Sequence, residues 1–176
     1  IGVNNLATVC NNIGENAFVI NGKPLKSINQ FYNKQVSHYR EICKRMNDTD
    51  FSNRMAKLTE KRNLKTDDYL HKASRKIIEY CTDNQISVIV IGQNKEWKQS
   101  SSLSKKLNQH FVQIPFARFI QMIQYKAKEK GIAVILTEES YTSGTSFIDD
   151  EMPIKVNYNK ARRIHRGLFK SNNNIL

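Results

Sequence analysis

Apolar residues fall along the chain in spacings that change from segment to segment. Val3, Leu6 and Val9 alternate imperfectly with polar neighbours, "NNIGEN" supplies a turn and "AFVI" a short return run, a pattern that predicts a β-hairpin. Asn21, Gly22 and Pro24 punctuate the next turn, after which Ile28, Phe31, Tyr32, Tyr39, Ile42 and Met46 recur near helical spacing, with Ser27 as the expected N-cap. Residues 40–81 read as the end of that helix and a second one, a charged helical hairpin in which Leu70, Ala73, Ile77 and Cys81 step by three and four, as on a helix lying against a sheet. "SVIVIG", closed by Gly92, is a continuous apolar run and predicts a central strand buried on both faces. Pro115 and Gly131 bracket a further helix carrying Phe116, Phe119, Ile120, Ile123 and Ala127, and "IAVILTEE" predicts another buried strand. Hairpin, helices, strand, helix and strand in that order predict an α/β domain with a mixed sheet flanked by helices. From Ser140 onward periodicity fades, and extended surface segments are expected.

Composition bounds this picture. A chain of 176 residues with 39% hydrophobic content suits one domain, 1–176, with its own core. No apolar stretch approaches a bilayer span and the first residues lack a basic leader, so a cytoplasmic protein without a membrane partner is expected. Cys10, Cys43 and Cys81 form no CxxC pair, so they read as small buried hydrophobes and no zinc is expected.

Charge changes the picture more. With 28 Lys and Arg against 16 Asp and Glu, the net charge of +12 favours a polyanionic partner; an acidic membrane surface satisfies the same arithmetic, but nucleic acid is the default. Lys155, Lys160, Arg162, Arg163, Arg166 and Lys170 cluster without an intervening acid, with Tyr158 and Phe169 as stacking faces, and form the candidate nucleic-acid contact; the alternative is a solvated surface segment. Trp97 is either a stacking residue or a partly buried edge of the core. His38, His71, His110 and His165 have no ligand-pair spacing, and no Gly-rich phosphate loop or serine elbow appears.

Against this basic background, "VILTEESYTS" ends an apolar run on adjacent carboxylates, Glu138 and Glu139. Either a strand end reaches solvent there, or a cation offsets the charge and the site binds metal. The hydroxyls of Ser140, Tyr141, Thr142 and Ser143 could contact phosphates or satisfy the loop's own backbone. "IDDE" at 148–151 reads as a solvated acidic run.

Several strings coincide in order: "GVNNLATV", "NGKPLKSINQFYNKQ", "LHKAS", "IVIGQNKEWKQ", "NQHFVQIPFARFIQMIQYKAKEKGI", "EESYTS" and "HRGLFKS". Over nearly the whole chain they resemble the RuvC-like nuclease domain of the transposon-encoded OrfB/TnpB family, relatives of the type V CRISPR effectors. The resemblance implies an RNase H-like fold and, in active members, metal-dependent DNA endonuclease activity guided by RNA. DNA and a guide RNA are the implied partners, with Mg²⁺ held by two Asp and one Glu.

The chain departs from that pattern informatively. In many relatives the Glu ends the central strand, whereas here Gly92 falls at that place, so Glu138 or Glu139 is suggested as the missing carboxylate from a shifted position. Adjacent strand residues face opposite ways, so one of the pair is expected to reach the metal, with Glu139 favoured. The first family Asp would precede "IGVNN" and the last would follow "HRGLFK", so the 176 residues carry at most one of three ligands and are expected to have negligible nuclease activity by themselves. A four-cysteine zinc ribbon, common in relatives after "YTS", has no cysteines here, and Gly144 stands where a basic residue is frequent. Two rival readings share the basic charge: a cleavage-deficient nucleic-acid-binding relative, and a basic RNA-associated structural protein.

Overall fold

A computed structural model describes residues 1–93, 113–165 and 168–172. The architecture is mixed α/β, and the described residues divide into two compact units, 1–90 with 113–135, and 91–93 with 136–165 and 168–172.

The larger unit opens with the expected hairpin. Strand β1 (Asn5–Val9) pairs antiparallel with β2 (Phe18–Asn21), with an irregularity between Asn5 and Ala7. Helix α1 (Lys23–Asn47) starts earlier than Ser27, directly after Gly22. The reason is local: Pro24 is pre-set for a first helical turn, and the Asn21 side chain accepts the Lys23 N–H at 2.9 Å, so the start is satisfied before Ser27 is reached. Asp48, in the left-handed region at φ 51°, closes α1 by donating its N–H to the Cys43 and Lys44 carbonyls.

Helix α2 (Asn53–Asp83) begins at Ser52, whose hydroxyl accepts the Met55 N–H at 3.4 Å. Leu70, Ala73, Ile77 and Cys81 are buried, as their spacing predicts, together with Ile78. Helix α3 (Phe116–Glu129) packs on α2 with Phe116, Phe119, Ile120, Ile123 and Ala127 all buried. Lys126 secures that contact by donating to the His71 carbonyl at 2.8 Å and the Ser74 hydroxyl at 2.7 Å, and burial pushes its ammonium pKa down. Arg118 on α3 also meets Asp67 on α2 at 3.1 Å. No helix among the described residues is long and apolar enough to cross a membrane.

Strands β3 (Val88–Gly92) and β4 (Ala133–Thr137) form a two-stranded sheet. They run parallel: Ala133 donates to the Ser87 carbonyl at one end and Gln93 to the Thr137 carbonyl at the other. Burial on both faces is not what the structure shows. Ile91 is buried, while Val88, Val90, Ile135 and Leu136 are exposed. An apolar β-branched run makes a strand, but burial of its second face needs a covering layer, and the described residues supply none over those four side chains.

The smaller unit is not the set of extended surface segments expected. It folds through single 3₁₀ turns at Thr142–Gly144, Lys155–Asn157 and Lys160–Arg162, and ends in an antiparallel hairpin of β5 (Arg163–His165) and β6 (Leu168–Phe169). Gly144, Ser146 and Ser171 are buried there.

Candidate functional site

Glu138 and Glu139 follow β4 directly, and the backbone sends them to different surroundings. Glu138 is exposed, and its carboxylate accepts the Ser140 hydroxyl at 2.6 Å. Glu139 is half-buried and turns toward the end of β3. A Cβ added to Gly92 would stand 2.0 Å from Glu139 Oε1, 2.2 Å from Cγ and 2.4 Å from Cδ. Atoms cannot approach that closely, so the Glu139 side chain fills the volume that any side chain on residue 92 would enter. The two positions exclude each other: a residue larger than glycine at 92 and this placement of Glu139 do not coexist.

The hydroxyl run after Glu139 is spent largely on its own loop. Thr142 donates its hydroxyl to the Glu139 carbonyl at 2.9 Å, and Thr145 donates to the Tyr141 carbonyl at 3.2 Å. Tyr141 takes φ 67° to make the turn. Gly144 has its own steric reason: a Cβ there would meet Tyr158 Cδ2 and Cε2 at 2.5 Å. The Tyr158 ring lies over the Gly144 backbone and edge-on to Tyr141, with ring centroids 5.7 Å apart.

The basic cluster does not act as one surface. Arg162 is largely buried, and it bonds Glu151, meets Asp149 at 3.6 Å and donates to the Asn172 side chain at 2.7 Å. Its guanidinium also lies over the Phe169 ring, 5.0 Å from the centroid. The network closes on itself: Ser146 N–H donates to Glu151 at 2.8 Å, and Asn172 N–H donates to Asp149 at 2.9 Å. Asp149 and Glu151 are therefore counter-charges for Arg162 and not a solvated run. The bond from Arg162, then the Ser146 N–H, holds the Glu151 carboxyl at a pKa of about 2, and the Glu151 bond raises that of Arg162.

Lys155, Lys160, Arg163 and Lys170 are exposed, with Lys160 Nζ 5.9 Å from the centre of the Tyr158 ring. Arg166 and Trp97 lie outside the described residues. Tyr158 and Phe169 each have one face already covered, by Gly144 and by Arg162. The most exposed of the large hydrophobic side chains among the described residues is one that periodicity gave no reason to select: Phe147, 97% exposed.

Among the described residues no group of three or more His, Cys, Asp or Glu side chains gathers as a metal site. The oxygen donor that the geometry singles out is Glu139. A carboxylate is an oxygen donor of the hard type that Mg²⁺ takes, an ion commonly held by one or two carboxylates with water and substrate phosphate completing its shell.

Residues 1–98 match the OrfB_IS605 family, described as "Probable transposase", and residues 116–170 match the "Cas12f1-like, TNB domain". No curated protein matches. Among solved structures, a chain of the "Cryo-EM structure of the Cas12f1-sgRNA-target DNA complex" is similar at 18% identity and a TM-score of 0.64, over 98% of this chain and 43% of that one. A chain of the "Cryo-EM structure of CRISPR-Cas12f Ternary Complex" is similar at 17% identity and a TM-score of 0.59, over 84% of this chain and 29% of that one. At these identities the likeness is one of fold, and the chain spans less than half the length of either.

Proposed function

The chain belongs to the OrfB_IS605 family of transposon-encoded proteins, and from that premise we propose that it forms the RuvC-like, RNase H-like core of a TnpB-type endonuclease that cleaves DNA under RNA guidance, the complete protein supplying the remaining ligands. Support for a guide RNA and a DNA target comes from the solved relatives, one an sgRNA–target DNA complex and the other a ternary complex. The net charge of +12 and the exposed Lys155, Lys160, Arg163 and Lys170 suit such polyanions.

The observation that carries the reading is the Glu139 side chain lying against Gly92. The family acid expected at the end of β3 is missing from the sequence, and the volume beside that position is filled by a carboxylate from the end of β4. Glu139 would be one ligand of Mg²⁺. When bound, the ion would activate water and stabilise the departing oxygen in phosphodiester hydrolysis. The chain's own part is to hold that carboxylate: β3 and β4 fix the two backbones, Gly92 leaves the space, and the Thr142 hydroxyl, bonded to the Glu139 carbonyl, fixes the turn behind it.

Glu139→Gln and Glu138→Gln in the full-length protein with its guide test this reading. Glu139→Gln is expected to lower Mg²⁺-dependent cleavage at least about 100-fold, and Glu138→Gln to leave it within a few-fold. Cleavage unchanged in both variants would sink the shifted-carboxylate reading. DNA binding without any cleavage by the wild type would favour the binding-only relative instead.

A further inference from the structure

Tyr141 stands where a side chain is costly. Its φ of 67° lies in the left-handed region, and it is the third residue of the four-residue turn that Glu139 opens, closed by the Thr142 N–H on the Glu139 carbonyl at 3.4 Å. Turns with a positive φ at that place usually take Gly or Asn, because a Cβ crowds the backbone there. Local bonds hold the tyrosine in part: its carbonyl accepts the Gly144 N–H and the Thr145 hydroxyl, both at 3.2 Å. The other hold is Tyr158, seventeen positions on in the chain. Its half-buried ring meets the Tyr141 ring edge-on, with centroids 5.7 Å apart, and lies so close over Gly144 that a Cβ there would stand 2.5 Å from it. The next residue latches the same turn, Asn159 donating its N–H to the Gly144 carbonyl at 2.8 Å. Glycine at 141 would make the turn without strain, but it would offer Tyr158 no ring. A strained residue that persists is over-determined by its surroundings, and such residues cluster at functional sites.

We propose that Tyr158 is a positioning residue for the Glu139 carboxylate: its ring, set against Tyr141 and Gly144, holds the turn that aims that side chain. The inference rests on the reading of Glu139 as a metal ligand and adds to it the part that keeps the ligand in place. Strand β4 ends at Thr137, so its ladder fixes the chain only as far as two residues before Glu139. Beyond it, the Thr142 N–H and hydroxyl hold the Glu139 carbonyl, and both reach it through the reversal at Tyr141. Without the Tyr158 ring, Tyr141 can relax to the ordinary region at negative φ, which draws Thr142 off Glu139 and lets the carboxylate leave its place beside Gly92. Every one of these contacts is made by the ring of Tyr158, so phenylalanine should serve in its place and an aliphatic residue should not.

Two measurements on the full-length protein test this. Hydrogen exchange of the Thr142 and Gly144 amides, followed without metal or nucleic acid, is expected to quicken at least about tenfold in Tyr158→Leu and to keep the wild-type rate in Tyr158→Phe. In guide-dependent cleavage, Tyr158→Leu is expected to lower kcat at least about tenfold, since a reacting group misplaced by about 1 Å costs on the order of 100-fold. KM for the DNA target should stay unchanged, the Mg²⁺ concentration giving half-maximal rate should rise, and Tyr158→Phe should restore both constants. Gly144→Ala displaces the ring from the opposite side and should repeat the pattern; combined with Tyr158→Leu it should add little, because both break one contact. The Arg162 network and the Asn159 latch stay in place in these variants, and thermal unfolding checks that the unit keeps its fold. Wild-type exchange in Tyr158→Leu would overturn the proposal. Unchanged kcat and Mg²⁺ dependence in both Tyr158→Leu and Gly144→Ala would do the same, as would a raised KM at unchanged kcat, which would make Tyr158 a contact to the target. Each of these leaves the nuclease reading standing if Glu139→Gln loses cleavage, whereas full cleavage by Glu139→Gln would overturn both.

Discussion

Replacing Gly92 by Ala tests whether the place of the Glu139 carboxylate matters. The added methyl group would sit 2.0 Å from Glu139 Oε1, and ordinary contact begins near 3.4 Å, so the oxygen must recede by about 1.4 Å, the difference between the two. Two consequences follow, of different size. Glu139 is only half-buried at the end of a strand, so its side chain can turn aside, and the folding cost should stay near about 1 kcal/mol, the low end for overpacking. Catalytic geometry is less forgiving. A group misplaced by about 1 Å costs on the order of 100-fold in rate, or about 2.7 kcal/mol of transition-state stabilisation. Guide-dependent cleavage of a DNA target and urea unfolding, both on the full-length protein, separate the two effects: cleavage should fall about 100-fold while the urea midpoint moves little. The exchange variant Gly92→Glu with Glu139→Gly returns a carboxylate to the same volume from the other strand, and should recover at least about tenfold over Glu139→Gly alone. Gly92→Ala that folds and cleaves within about threefold of wild type would refute the reasoning, because the displaced carboxylate would then have had no task where it stood.

Acid should loosen the smaller unit through Glu151. Its folded-state pKa, about 2, lies below the ordinary value of 4.5, so the stability it contributes is present above about pH 4.5 and is lost as pH falls toward 2. Amide exchange of residues 146–172 should rise over that window in the wild type and be raised, with little dependence on pH there, in Glu151→Gln. Binding to nucleic acid should weaken steeply with salt, and neutralising Arg163 or Lys155 should each lower the logarithmic salt slope by about 0.9 if each contacts one phosphate; an unchanged slope would remove that residue from the interface. Arg162→Gln should act differently, lowering the melting temperature, because it leaves Glu151 and Asp149 without their cation. Ser52→Ala should cost about 1 kcal/mol by removing the cap of α2, measured by urea unfolding.

What the sequence made legible, and what it did not, divides along physical lines. Helices α2 and α3 bury the residues their spacing selects, because an amphipathic face is written into consecutive turns. The start of α1 was less legible: Ser27 is a sound capping residue, but Asn21 and Pro24 satisfy the first turn before it. Strand β3 was read correctly as a strand and wrongly as buried on both faces, since Val88 and Val90 are exposed; a run of β-branched residues specifies the backbone, while burial depends on what covers it. The resemblance to the OrfB/TnpB family, carried by short strings in order, agrees with the family match over residues 1–98. The smaller unit was least legible. Arg162 looked like one member of a basic cluster, yet its role is set by Glu151, Asp149 and Asn172, and nothing periodic links those positions.

The two glycines of that unit carry the same lesson into the site. At 92 the sequence lacks an expected acid, and at 144 an expected basic residue, and each looked like a loss of chemistry. In the fold each glycine is the condition for a neighbour's side chain: the Glu139 carboxylate occupies the space at 92, and the Tyr158 ring occupies the space at 144. The chemistry of a place is thus not the chemistry of the residue numbered there. At 92 the substitution conserves charge type, since one carboxylate stands beside the β3 end whether it comes from β3 or from β4, and that is why Gly92 is compatible with a metal-dependent reading. At 144 it does not conserve charge, since a ring replaces a cation, so whatever phosphate contact that turn makes must come from elsewhere in the unit. Arg163 is an exposed guanidinium lining an adjacent cleft of the same unit, and the salt-slope measurement above decides whether it meets a phosphate.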